Sequence, residues 1–202
     1  MPGADLFRQM GFFISESFLD PSLCDEMVRD AAREGYKDAA IWKGGRGYVV
    51  DPKVRRAQQI NISPSAAEQL RDHLNQLKPR LEEHFGLSLE NFETPLCLGY
   101  QVGDFYQPHR DNVDLGEGAP GSISRRKISI VLFLNGGREP FPSGYRGGEL
   151  TFYGLLKNNR SADRGIPLGA TRGLLVAFPS ERVHQVQPVT EGHRYTVVSW
   201  FY

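Results

Sequence analysis

Apolar positions along this chain recur first at helical spacing and later at strand spacing. Residues 22–34, following Asp20-Pro21, predict a first helix with Gly35 as its stop, because proline suits the opening turn and glycine suits the residue after the last. Ser63-Pro64 opens a second helical run over residues 65–85, closed by Gly86, in which Leu70, Leu74, Leu77 and Leu81 repeat every three or four positions. Such a stripe belongs against a sheet. Pro79 lies inside this run and should kink it or split it, since proline lacks an amide hydrogen and crowds the preceding turn. After Leu89 the pattern shortens to strands, expected at residues 95–102, 127–134, 149–153, 174–178, 182–186 and 195–202. Glycine- and proline-rich loops separate them, which predicts a jelly roll in a mainly β chain with N-terminal helices, an α+β arrangement.

No internal repeat or interdomain linker interrupts the 202 residues, so one domain is expected. Residues 1–91 would supply helical support and a substrate-loop region, and residues 92–202 the jelly-roll core. Hydrophobic residues at 40% and charged residues at 24% are ordinary for a globular protein, and a formal net charge of zero argues against a dedicated nucleic-acid binder. Two short basic clusters, Arg125-Arg126-Lys127 and the run from Lys53 to Arg56, read as solvated faces or substrate-anion contacts. The start of the chain lacks the pattern of a signal peptide and no run reaches membrane-spanning length. With only Cys24 and Cys97, far apart in sequence, the expected setting is a reducing one and the expected localisation cytoplasmic, with no membrane association. Oligomeric state is not readable.

The chemistry concentrates in His109-Arg110-Asp111 and, far downstream, His184 and Arg194. Two imidazoles and one carboxylate are the set that holds a divalent iron on one face and leaves the opposite positions open. His109 and Asp111 are two apart, so one strand would present both on a single face, and His184 in Val183-His184-Gln185-Val186 would arrive from a second strand. His193 adjoins Arg194 but neighbours on a strand face opposite ways, so Arg194, Thr196, Val198 and Trp200 share one face and His193, Tyr195, Val197, Ser199 and Phe201 the other, and His193 is not expected to be a ligand. His73 and His84 sit in a charge-rich helix and need no special role.

Further pieces keep company with this set. They are Tyr100-Gln101-Val102-Gly103-Asp104-Phe105-Tyr106, then Arg126-Lys127-Ile128-Ser129, Phe133-Leu134-Asn135, Gly147-Gly148-Glu149-Leu150-Thr151-Phe152, Gly173 to Phe178, and Pro188-Val189, Gly192 and Trp200 around the last ligands. In this order and spacing the chain, from about Phe92 to Tyr202, resembles the Fe(II)/2-oxoglutarate-dependent dioxygenases, specifically the prolyl 4-hydroxylase-like branch. The resemblance implies a double-stranded β-helix braced by helices. It implies that His109, Asp111 and His184 bind Fe(II), and that Arg194, where many relatives have lysine, pairs with the distal carboxylate of 2-oxoglutarate. A guanidinium suits that task because it grips a carboxylate with two parallel hydrogen bonds. Tyr100 matches a tyrosine that bonds the same carboxylate, and Trp200 faces the co-substrate pocket.

The implied activity is hydroxylation of an unactivated C–H bond with O2 as further co-substrate, releasing succinate and CO2, with ascorbate as an optional cofactor. The implied substrate is a prolyl or other amino-acid unit of a peptide, protein or small molecule. Trp42, Tyr48, Arg125, Arg146 and Trp200 are candidate substrate contacts. Residues 112–124, 42–52 and 136–148 are candidate lids or binding loops, since long loops are more often functional than short ones. The metal set alone also suits a zinc hydrolase, and a jelly roll can persist as a binding module, but a hydrolase leaves Tyr100 and Arg194 without a use.

Overall fold

The computed structural model describes residues 2–33, 37–43, 46–112, 121–137, 139–156 and 164–202. Elements are numbered in chain order. Four helices lie among these residues: α1 (Pro2–Gln9), α2 (Pro21–Arg33), α3 (Pro64–Phe85) and α4 (Gly121–Arg125). The major sheet has seven strands, in the spatial order β1 (Phe13–Ser15), β13 (Leu175–Pro179), β9 (Ile128–Phe133), β16 (Arg194–Phe201), β7 (Leu96–Tyr100), β6 (Gln58–Ile60) and β2 (Lys37–Asp38). The minor sheet has five, ordered β12 (Ile166–Leu168), β11 (Leu150–Phe152), β14 (His184–Val186), β8 (Phe105–His109) and β5 (Arg55–Arg56). Two further pairs are β10 (Tyr145–Gly147) with β15 (Val189–Gly192) and β3 (Ile41–Trp42) with β4 (Tyr48–Val49).

Strand alternation explains the layers. On β9, Ile128, Ile130 and Leu132 point one way into a cluster with Leu70, Leu74, Leu77 and Leu81 of α3, while Val131 and Phe133 point the other way. There they meet Leu150, Phe152 and Leu168 of the minor sheet, so the two sheets face each other across a shared apolar layer. The central strand is therefore buried on both faces, and its run of apolar residues follows from that. Phe7 of α1 and Phe12 wedge into the same layer, with ring centroids 5.5 and 4.7 Å from Phe152. Phe152 lies 4.8 Å from Phe178, and Phe178 lies 4.9 Å from His184. The N-terminal segment thus buttresses a functional histidine through packed rings, a link that no local pattern announces.

Helix α3 begins where Ser63 accepts a hydrogen bond from the Ala66 amide and Pro64 fills the first turn, and it ends where Gly86 takes a left-handed φ of 64°. It is not split at Pro79. The proline sits on the exposed side, as does Asn75, whose carbonyl loses its amide partner, while Leu77 and Leu81 remain anchored on the buried side.

The six expected strands are all present, with ends shifted by one or two residues. Residues before 92 are not only helical: β1, β5 and β6 pair with β13, β8 and β7, so the N-terminal region contributes to both sheets. The expected helix stop at Gly35 lies outside the described residues, as do Gly44 and Gly45 of the glycine-rich segment and residues 113–120 of the expected lid. The remainder of these segments is more regular than expected, forming the β3–β4 hairpin and α4. Cys24 and Cys97 are buried free thiols, pushed up to about 11 and about 12 by desolvation. No helix among the described residues is long and apolar enough to cross a membrane. Leu74→Ala should leave a cavity between α3 and the major sheet and cost about 2–5 kcal/mol, read from the midpoint of denaturant unfolding at unchanged slope.

Candidate active site

The site is set by the pairing of β8 with β14. His184 stands opposite His109 and Val186 opposite Tyr106, so three steps along β8 match two along β14. That extra residue is a bulge, and it turns Tyr106 and His109, which regular alternation would send to opposite faces, to the same side. Their rings stack with centroids 3.6 Å apart, and the His109 and His184 rings lie 4.2 Å apart.

Asp111 does not share the strand with His109 as the spacing predicts. Strand β8 stops at His109, and the Asp111 and Asn112 amides both donate to the Ser180 carbonyl, at 2.9 and 3.0 Å, which turns the chain out of the sheet. The carboxylate still arrives between the imidazoles. Its oxygens lie 3.6 Å from His109 Nε2 and 3.5 Å from His184 Nε2, and one ligand atom from each of the three residues falls within 4.8 Å of the others.

Protonation suits metal binding. His109 Nδ1 is 2.8 Å from the Gln107 carbonyl and His184 Nδ1 is 2.9 Å from the Arg182 carbonyl. A carbonyl only accepts, so each Nδ1 carries the hydrogen and each Nε2 keeps its lone pair for the shared point. Burial, reinforced by the neighbouring His109, lowers His184 to about 4 and keeps it neutral. Burial opposes ionisation of Asp111, but the adjacent His184 and His109 and a hydrogen bond from Ser129 outweigh it and hold the carboxyl well below its ordinary range. Two imidazoles presenting Nε2 and a carboxylate make a set suited to a divalent transition metal with open positions.

The cluster opens into a cavity of about 1030 Å³. Its opposite wall is β16, whose faces divide as alternation predicts and whose inward face is the one the resemblance implies: Arg194, Thr196, Val198 and Trp200 all line the cavity, while His193 is exposed and Tyr195, Val197 and Phe201 pack toward α3. Arg194 is 1% exposed. Its guanidinium carbon sits 5.0 and 5.2 Å from the ring centres of Tyr100 and Phe133, Nη1 donates to Thr196 Oγ1 at 3.2 Å, and Nε is buried without a partner. Among the described residues it has no carboxylate partner. Tyr100, 2% exposed, lines the cavity beside it.

Sequence reasoning missed Tyr145, which is 2% exposed. Burial raises its phenol above the ordinary value, against the opposing pull of the hydrogen-bonded Arg194 guanidinium. Gly148 was quoted as part of a motif, but its role depends on packing: at φ 65°, a Cβ there would lie 2.9 Å from Arg194 Cδ.

Trp42, Tyr48, Arg125 and Trp200 of the candidate substrate contacts line the cavity. Arg146 does not. Its guanidinium is consumed by the Gly137, Glu139 and Tyr145 carbonyls and covers the Phe141 ring. Arg126 stacks 3.7 Å over Trp200 and grips Glu93 with two bonds of 2.6 and 2.7 Å. The basic cluster is internally satisfied, since Arg125 pairs with Glu90 at 2.5 Å and Lys127 donates to the Ser88 carbonyl at 2.9 Å. His73 and His84 contact the backbone carbonyls of Gln69 and Gly11, away from the cavity.

Comparison with known proteins agrees with this arrangement. A sequence profile of the 2OG-Fe(II) oxygenase superfamily matches residues 96–202. The chain is 31% identical to a PKHD-type hydroxylase of Hyphomonas neptunium over 79% of its own length and 66% of the other's, and 38% identical to one of Synechococcus over 80% and 66%. The chain spans less than two thirds of the length of the first curated relatives it matches, with coverage of 66%, 36% and 42%. A crystal structure of a prolyl-4-hydroxylase from Pseudomonas putida superposes with a TM-score of 0.69 at 26% identity, covering 99% of this chain and 96% of that one. A Trichoplax adhaerens prolyl hydroxylase in complex with a peptide fragment of the hypoxia inducible factor oxygen degradation domain superposes with a TM-score of 0.73 at 18% identity, over 99% and 87%, and shares the fold. The two facing sheets are the double-stranded β-helix of these hydroxylases, and the chain belongs to the 2OG-Fe(II) oxygenase superfamily.

Proposed function

We propose that residues 1–202 form a single Fe(II)- and 2-oxoglutarate-dependent hydroxylase domain acting on a prolyl or other amino-acid unit, most simply within a peptide. The observation that carries this reading is Arg194, a buried cation with an unpartnered Nε in the same cavity as the His109, Asp111 and His184 cluster. A buried charge without a counterion is costly, and a dicarboxylic co-substrate supplies the missing anion. A zinc hydrolase has no such need.

In this reading His109 and His184 hold the metal through Nε2 and Asp111 through its carboxylate. Ferrous iron with bound 2-oxoglutarate and O2 supplies the oxidising power for C–H hydroxylation, yielding succinate and CO2. Arg194 grips the distal carboxylate, Tyr100 and Tyr145 flank the guanidinium, and Gly148 leaves room for its methylene stem. The apolar wall of Leu98, Val131, Leu150 and Val198 keeps water from competing with the substrate. Tyr106 stacks on His109, and burial pushes its phenol up to about 12, so it stays protonated beside the residues that would hold the metal. Trp200, held under Arg126, and the β3–β4 hairpin form the substrate side of the cavity. The peptide held by the Trichoplax hydroxylase supports a peptidyl substrate here. The internally paired basic cluster supports the absence of a nucleic-acid partner, and a cytoplasmic setting fits the two buried free thiols.

Anaerobic titration with Fe(II) and then 2-oxoglutarate should give a visible charge-transfer band that needs both and is lost in His184→Ala; iron binding with no band would sink the oxygenase reading. Asp111→Ala should weaken iron binding by more than about 100-fold, since changing even an outer-shell partner commonly costs 10–100-fold. Arg194→Ala should spare iron but weaken 2-oxoglutarate by about 10–100-fold, the value of a charge-assisted pair, with Arg194→Lys falling between. Gly148→Ala should mimic Arg194→Ala in direction by displacing the guanidinium stem, and equal loss of iron affinity would count against that positioning role.

A further inference from the structure

Three side-chain nitrogens among the described residues are buried without a hydrogen-bond partner: Arg194 Nε, Arg55 Nε and Trp42 Nε1. All three residues line one cavity. Arg194 is accounted for by the co-substrate, but Arg55 and Trp42 are not.

Arg55 is 9% exposed and stands on β5 directly opposite Tyr106 of β8. Its guanidinium lies 4.8 Å from the Tyr106 ring centre, and that ring stacks on His109, so one aromatic ring separates the charge from a metal-cluster imidazole. Its recorded polar contact is a long one, Nη1 to the Ala40 carbonyl at 3.4 Å, which ties it to the stem of the hairpin carrying Trp42. The other cations of the wall are answered: Lys43 by Asp51, Arg125 by Glu90 and Arg126 by Glu93, while Arg110 is exposed to water. Arg55 therefore stands, with Arg194, as a buried cavity cation lacking a carboxylate among the described residues.

We infer that Arg55, assisted by the Trp42 indole N–H, forms a second carboxylate subsite, so that the preferred substrate carries a carboxylate on the target residue or its immediate neighbour. The placement fits, because only the Tyr106 ring separates the guanidinium from the His109 imidazole, so a carboxylate held by Arg55 lies beside the cluster in the same cavity. The carboxylate has two sources, the α-carboxylate of a free or C-terminal residue, or an acidic side chain beside the target. This inference rests on the oxygenase reading above.

The test is calorimetric binding under anaerobic conditions to protein loaded with Fe(II) and 2-oxoglutarate. Two probe pairs separate the sources: N-acetyl-proline against N-acetyl-prolinamide, and acetyl-Glu-Pro-Glu-amide against acetyl-Gln-Pro-Gln-amide. The carboxylate member of at least one pair should bind about 10-fold or more tightly than its amide, as expected for a charge-assisted bond. In Arg55→Gln that preference should fall to about twofold or less, with Arg55→Lys between, while the 2-oxoglutarate band confirms that both variants are folded. Trp42→Phe, which deletes the N–H and keeps the ring, should reduce the preference by a smaller factor. No preference in either pair, or one that survives Arg55→Gln, overturns the subsite. Loss of the 2-oxoglutarate band in the unmodified protein would instead overturn the oxygenase reading.

Discussion

The antiparallel pairing of β8 with β14 is the constraint on which the site depends. It sets His109 opposite His184, and its single bulge turns Tyr106 onto the same side as His109. With regular alternation, the Tyr106 ring would leave the cavity and Arg55, opposite it on β5, would lose the surface it stacks on. Strand β8 stops at His109, and beyond it two amides bonded to the Ser180 carbonyl fix the turn that brings Asp111 across. Ser180 in turn closes β13, so the carboxylate is positioned by the major sheet and the imidazoles by the minor one. The cluster exists only where the two sheets meet.

Charge in the cavity follows a consistent logic. Lys43, Arg125 and Arg126 of the wall are matched by carboxylates of the chain itself, Arg126 is further held over Trp200, and Arg110 is exposed to water. The deepest cation, Arg194, is surrounded by aromatic rings and given no carboxylate among the described residues. Such a group destabilises the folded protein in isolation and is compensated when an anion binds, which is how a site acquires selectivity for a charged ligand. Arg55 repeats that arrangement on the other side of Tyr106, and the repetition distinguishes it from the surrounding surface arginines.

Much of the architecture was legible because it depends on periods. The leucine stripe of α3, the helix boundaries at Ser63-Pro64 and Gly86, the six strands and the division of β16 into two faces all follow from local spacing, and they fall where spacing puts them. Pro79 was the exception: its cost depends on which side of the helix faces water, a fact about packing and not about sequence. Arg146 was misjudged for a related reason, since carbonyls contributed by a distant turn absorb its guanidinium.

By itself the sequence determined the residue types, the order of motifs and the alternation that sets Arg194 and His193 on opposite faces, because these rest on the two-residue period of a strand; which face turns inward came from the family resemblance. Tertiary structure alone decided the bulge that stacks Tyr106 on His109, the turn that delivers Asp111 from beyond the strand, the ring contacts that carry α1 to His184, and the isolation of Arg55 from any described carboxylate. Each depends on which distant groups come into contact, and contact across two sheets is a property of registry and burial that no local period encodes.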